Sequence, residues 1–165
     1  MKLFQIEEPD GSLPAGGDGP GAAVGIDLAS SAAEVAVAIG GNAELLPARE
    51  GDPPLATAGM RDGAVWRGDA ARDLLLALRA RAERALARPV THAVIVAPPP
   101  LSDAERDAVA TAAADAGYTV LRIVEPDAAI AKAGSVAGAG SPSAAAIGAA
   151  ILAEEDAPRP ASSPI

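Results

Sequence analysis

Cysteine is absent from these 165 residues. That excludes disulfides, thiol nucleophiles and cysteine-ligated metals, and it fits a reducing cytoplasm. Aromatic residues make up only 2% of the chain, so a core has to be drawn mainly from Ala, Val, Leu and Ile. Such a core buries little area per residue and implies modest stability. Basic residues are few, 13 Lys+Arg against 22 Asp+Glu, for a formal net charge of −9. An acidic chain without a basic cluster is a poor match to a phosphate backbone, so nucleic acid is not an expected partner. No apolar run approaches the ~20 residues of a membrane span, so no membrane association is expected. The acidic start, with no apolar h-region, predicts no signal peptide. His92 is the one histidine. It has no Cys, Ser or second-His partner motif and reads as a structural residue near a strand start. The length suits one domain with a real core.

What is present is organised around residues His92 to Lys132. His92 to Ala97 is a short apolar run closed by Pro98, Pro99 and Pro100, as a buried strand would be, because prolines lack the donor a strand needs next. Ser102 with Glu105 three residues on forms an S-x-x-E capping box. Val109, Ala112, Ala113 and Ala116 then fall on one helical face, and Gly117 supplies a left-handed C′ residue. Tyr118 to Val124 is a second apolar run rich in β-branched residues. Glu125-Pro126 breaks it, with Pro126 placed at the first position of another helix. Strand, helix and strand in this order predict a parallel pair joined by a right-handed crossover.

The rest of the chain follows the same logic. Residues 1–21 (MKLFQIEEPDGSLPAGGDGPG) read as a flexible leader. Ala22 to Leu28 reads as a buried strand with Asp27 near its end, and Ala33 to Ile39 as a second strand. Gly40-Gly41-Asn42 marks a hairpin turn, and Ala43 to Pro47 a third strand. A further short strand is expected at Leu55 to Ala58, and another at Ala64 to Arg67. Asp69 to Ala87 has the spacing of an amphipathic helix, with Leu74, Leu75, Leu78, Ala82 and Leu86 near one face. Its Arg79, Arg81, Arg84 and Arg88 read as a solvated face, and Trp66 as a packing residue. Gly134 to Ser143 is a low-complexity hinge. Ala144 to Leu152 forms a short apolar helix whose following carboxylates, Glu154, Glu155 and Asp156, oppose the helix dipole and predict fraying. The domain is expected over 22–153, and 154–165 as a disordered tail. Periodicity alone therefore predicts an α/β fold with a mixed sheet.

The central stretch resembles the nucleotide-binding domain of the heat-shock 70 chaperone family, the DnaK type. That family carries A-V-I-T-V-P-A-Y-F, a helix with Q-R-Q-A, then V-L-R-I and N-E-P-T-A-A-A. Here the same order stands as A-V-I-V-A-P-P-P, E-R-D-A-V, V-L-R-I and V-E-P-D-A-A-I, with matching connections. Residues 144–150 (AAAIGAA) resemble the family's A-V-A-x-G-A-A helix, which packs beside the first loop. The leader, M-K-L-F-Q-I-E-E-P, resembles that of the HscA branch, which serves iron–sulfur cluster assembly. The resemblance implies a mixed five-stranded sheet with flanking helices, a ribonuclease H-like fold forming a single lobe of an actin-type ATPase. It also implies ATP or ADP with Mg as cofactor, and a protein partner or co-chaperone.

The resemblance places the functional residues one by one. The family's first phosphate loop, G-I-D-L-G-T-T, stands here as Gly25-Ile26-Asp27-Leu28-Ala29-Ser30-Ser31. Asp27 takes the place of the aspartate that holds Mg through water. Ala29, Ser30 and Ser31 take the phosphate-loop positions, although Ala29 adds a Cβ where a glycine allows close approach. Glu125 matches the catalytic-site glutamate, and Pro98 and Arg106 match the residues that relay nucleotide state. Thr57 has no counterpart. No lysine lies between Arg61 and Arg88, where the family's phosphate-contacting lysine is expected. The second phosphate loop, the adenosine-binding lobe and the substrate-binding domain have no counterpart either.

Each of these residues also has a plainer reading. Asp27 is a strand-end carboxylate that Ser30 or Ser31 could cap, and this weighs more than a Mg–nucleotide role. Glu125 is equally a residue at a helix start, favoured by the dipole. Arg106 suits a surface or salt-bridged position. Three classes follow: a chaperone-like protein with at most weak nucleotide binding and no efficient ATPase; a non-catalytic interaction module derived from such a chaperone; and a ribonuclease H-like nuclease. The third is disfavoured by the net charge and by the prolines that end the central strand.

Overall fold

The computed structural model describes residues 21–62, 65–134, 136, 141 and 143–159. The expected leader lies outside these residues, as do most of the hinge and the end of the tail. Three strands come first: β1 (Ala22–Asp27), β2 (Glu34–Ile39) and β3 (Asn42–Leu45). They form an antiparallel meander, with Gly25 opposite Ala36 and Val37 opposite Glu44. Gly40 and Gly41 both take positive φ in the hairpin turn, 61° and 81°, which is why two glycines stand there. A small ribbon, β4 (Arg61–Asp62) with β5 (Val65–Trp66), precedes the long helix α1 (Gly68–Leu86). Then come β6 (Val90–Val96), α2 (Asp103–Asp115), β7 (Thr119–Val124), α3 (Pro126–Ala133) and α4 (Ala144–Asp156).

The main sheet has the order β3-β2-β1-β6-β7, with β1, β6 and β7 parallel. This is the expected mixed five-stranded sheet of a ribonuclease H-like lobe. The local signals account for its elements. Ser102 accepts from the Glu105 N–H while the Glu105 carboxylate accepts from the Ser102 N–H, so the capping box is closed. Gly117 follows α2 at φ 87°, and Pro126 is the first residue of α3.

Alternation along β1 divides the core. Val24, Ile26 and Leu28 face one layer with Leu75 and Leu78 of α1 and Val109 and Ala113 of α2. Gly25 faces the other, where α4 lies on the sheet so closely that a Cβ at Gly25 would stand 2.5 Å from the Ala149 carbonyl carbon. Helix α3 covers α4 in turn, with Gly148 against the Ala129 backbone. Two alanine-rich clusters fill this second layer. Small side chains there let helix and sheet backbones approach each other. Among the described residues no helix is long and apolar enough to cross a membrane.

Four expectations need correction. Leu55 to Ala58 is not a strand. It follows Pro53-Pro54 and contributes a single bridge, Ala32 with Ala56. The arginines of α1 are not a uniformly solvated face. Arg81 is 10% exposed beside Asp52, and Arg79 lies over Gly117, donating to the Ala116 carbonyl at 3.1 Å. The helix α4 continues through Asp156, three residues into the expected tail. Its terminal carboxylates do not fray the helix, because each has a partner. Glu154 accepts from the Gly40 and Gly41 N–H groups, Glu155 pairs with Lys132 at 2.6 Å and Asp156 with Arg122 at 2.9 Å.

Candidate functional site at the carboxyl ends of the parallel strands

The sheet register determines what meets at the site. Asp27 on β1 is level with Val96 on β6, and Val96 is level with Val124 on β7. Asp27 and the Ala29–Ser31 loop, Pro98 and Glu125 therefore emerge at the same end of three adjacent parallel strands. Two strand spacings put β1 and β7 about 10 Å apart. This is the end at which open α/β sheets bind ligands. Arg106 joins from α2, its guanidinium donating to the Ile123 carbonyl at 3.1 Å. It is half-buried and holds α2 to β7 two residues before Glu125. Glu125 is exposed, with extended backbone and no side-chain capping bond to α3. Pro98 is half-buried where the chain leaves the sheet.

Asp27 is fully buried. One carboxylate oxygen accepts from the Ala29 N–H at 2.8 Å and the Ser30 N–H at 3.3 Å. The other accepts from the Ser30 hydroxyl at 2.5 Å. Of the two hydroxyls available for capping, Ser30 is the one used, and Ser31 is exposed. Glu34 stands directly across from Asp27 in the β1–β2 register. One Glu34 oxygen accepts from the Ser143 hydroxyl at 3.1 Å, and the other is buried with no partner among the described residues. Two carboxylates thus share one rung of the sheet, an arrangement that costs stability unless donors compensate it.

The residue that sequence reasoning left without a role is Thr57. Its hydroxyl donates to the Ser30 carbonyl at 2.6 Å and its N–H to the Ser31 carbonyl at 3.1 Å. Ala33 in turn donates to the Leu55 carbonyl at 2.7 Å. The loop after β1 is consequently held from both sides, by Asp27 beneath and by Thr57 from a segment 27 residues downstream. No local pattern advertises that contact. The ribbon is anchored likewise. Arg61 pairs with Glu105 and lies 5.4 Å from the centre of the Trp66 ring. The Ser102 N–H and hydroxyl, together with Arg61, hold the Glu105 carboxyl below its ordinary value.

The comparisons bear on part of this architecture. Residues 68–137 match the model of the family described as Hsp70 protein. The match takes in α1, β6, α2, β7 and α3, hence Pro98, Arg106 and Glu125, and covers fewer than half of the residues. It does not extend to Asp27, the loop that follows it, or α4. No curated protein matches the chain.

Proposed function

We propose that this chain is a single-lobe relative of the Hsp70 nucleotide-binding domain that does not turn over ATP and works by engaging a protein partner. The family match over 68–137 supports a chaperone-related nucleotide-binding fold. The observation that carries the rest is the closed loop at Asp27. A phosphate loop works by presenting backbone N–H groups to the ligand. Here the N–H groups of Ala29 and Ser30 are directed inward to Asp27, whose second oxygen takes the Ser30 hydroxyl. The carboxylate is therefore already engaged within its own loop, and Ala29 adds bulk where close approach is needed. Lys132, the one lysine among the described residues, pairs with Glu155. The donor set fits a Mg–nucleotide poorly. Only ten residues, 134–143, separate α3 from α4. That is too little chain to insert a second lobe between these two helices, so the described domain presents one wall of a cleft. The HscA-like leader directs the search for the partner toward iron–sulfur cluster assembly. A nuclease reading is poorly supported, because two-metal chemistry needs several converging carboxylates. Among the described residues no three His, Cys, Asp or Glu side chains gather.

Calorimetric titration of Mg-ATP and Mg-ADP, with Asp27→Ala as control and phosphate release measured in parallel, tests the proposal. The expected result is no saturating heat up to ~1 mM, the weak end of specific recognition, and no phosphate release above buffer. Saturating heat that disappears in Asp27→Ala would overturn it.

A further inference from the structure

The two edges of the main sheet differ. On β7 the Val124 carbonyl accepts from the Ala97 N–H after β6, so the Ile123 carbonyl points outward, and Arg106 occupies it. On β3 the edge is open. The two-residue turn at Gly40-Gly41 makes Ile39 and Asn42 a hydrogen-bonded pair, and alternation makes Val37 and Glu44 the next. The Leu46 N–H, donating to the Val35 carbonyl, keeps that phase. Ala43 and Leu45 therefore direct their N–H and C=O groups away from β2, and among the described residues no strand lies beyond them. An open edge of this kind is a template for a further strand.

The side chains along this edge are uncovered as well. A groove of about 240 Å³ is lined by Val37, Ile39, Asn42, Ala43 and Glu44. Ile39 is 59% exposed, the most exposed large hydrophobic among the described residues. On the other face of the sheet Ala43, Leu45 and Ile151 of α4 are only partly buried. Chain to cover this edge is close at hand. The register that sets Gly25 opposite Ala36 brings Ala22 level with Ile39, so residues 1–20 join the domain at the hairpin end of the sheet. Three strand spacings, about 14 Å, lead from β1 to a position beyond β3. Residues 7–20 can span up to about 45 Å.

We propose that residues 2–6 of this chain add to β3 as an antiparallel edge strand, with Leu3 level with Leu45 and Gln5 with Ala43. Alternation then gives each side chain a place. Phe4 and Ile6 fall on the face of Val37 and Ile39, and Leu3 on the face of Leu45 and Ile151. Lys2 stands diagonally from the exposed Glu44, within reach of a long side chain. Glu7 would be level with Gly41, whose N–H already holds the Glu154 carboxylate, so the pairing ends at Ile6. The antiparallel direction leaves residues 7–20 the shorter path back to β1. Being tethered, the segment has an effective concentration in the millimolar range, which a second copy of the chain or another protein has to outcompete at this edge.

NMR on the whole chain tests this through amide hydrogen exchange at Ala43 and Leu45 and contacts of the Phe4 ring. Phe4 is the chain's one phenylalanine, so its ring signals need no further assignment. Gln5→Pro removes the N–H that this register gives to the Ala43 carbonyl, and Ala15→Pro alters only the connection. Exchange at Ala43 and Leu45 is expected to be at least about tenfold slower in the unaltered chain than in Gln5→Pro, and within about twofold of it in Ala15→Pro. The Phe4 ring is expected to contact the Ile39 methyls. Exchange unchanged by Gln5→Pro, or no Phe4–Ile39 contact, would overturn the proposal. Protection that grows with protein concentration would overturn it too, by assigning the edge to a second copy.

Discussion

Gly25→Ala tests the packing on which the site depends. Gly25 is the point of β1 where α4 lies directly on the sheet. An added Cβ would stand 2.5 Å from the Ala149 carbonyl carbon and 2.7 Å from the Ala146 carbonyl oxygen, with the Ala150 N–H nitrogen nearer still. Ordinary carbon contacts begin near 3.5 Å, so α4 must lift by about 1 Å. All three neighbours are backbone, and no rotamer change relieves the clash. Lifting α4 also loosens Ala146, Ala149 and Ala150, which are buried against β1, β2 and β6. Overpacking of this kind costs about 1–3 kcal/mol. A rigid backbone clash belongs at the upper end, near ~3 kcal/mol. For a chain of this size that lowers Tm by roughly 6–12 °C. Urea unfolding followed by circular dichroism measures it, with Gly59→Ala as control, because a Cβ there meets nothing within 4 Å. If Gly25→Ala unfolds within ~0.5 kcal/mol of the parent, helix and sheet are not in direct backbone contact and the reasoning fails.

Two further outcomes follow from the same structure. Ala87, the residue that ends α1, has φ 52°. A left-handed alanine costs about 1–2 kcal/mol, and the flexibility glycine adds to the unfolded chain offsets part of it. Ala87→Gly is therefore expected to raise stability by ~0.5–1 kcal/mol in urea unfolding, and a loss of stability would show that the helix end is held differently. Stability should also fall at both ends of a pH scan. Asp52 and Glu105 have lowered values, so what they contribute is complete above about pH 5 and is lost as pH falls through their folded values. Tyr118 has a value raised mainly by burial, its hydroxyl donating to the Leu75 carbonyl at 3.2 Å. Its contribution is complete below about pH 10 and lost above it. Asp52→Asn should shrink the acid limb and Tyr118→Phe the alkaline one. An unchanged profile in either variant would refute the corresponding assignment.

The sheet was legible in the sequence because its signals are local. The buried runs at β1, β6 and β7, the Ser102–Glu105 box, Gly117 and Pro126 each state their role within a few residues. What stayed hidden depends on segments distant in sequence. The spacing in α1 assigns Arg81 to the polar face, and only the fold of the 47–55 loop over that face buries it beside Asp52. The carboxylates after Leu152 read as a fraying end because their partners, Gly40, Lys132 and Arg122, belong to three other elements.

The candidate site has the same division. Asp27, Pro98 and Glu125 emerge at one end of the sheet because the parallel register of β1, β6 and β7 requires it, a register that follows from the strand–helix–strand pattern, and Arg106 reaches the end of β7 from α2. Whether such a site can take a phosphate depends instead on where the loop N–H groups point. Ala29 in place of glycine suggests obstruction of a ligand, yet the bonding within the loop gives a stronger reason. The Ser30 hydroxyl and two loop N–H groups converge on Asp27, and Thr57 fixes the carbonyls on the loop's other side. Removing the Ala29 methyl group alone would therefore leave the loop closed. Opening it requires breaking the Ser30–Asp27 and Thr57–Ser30 bonds as well. On the proposed reading, that coupling makes the Ala29–Ser31 loop a structural clasp while the surrounding fold is retained.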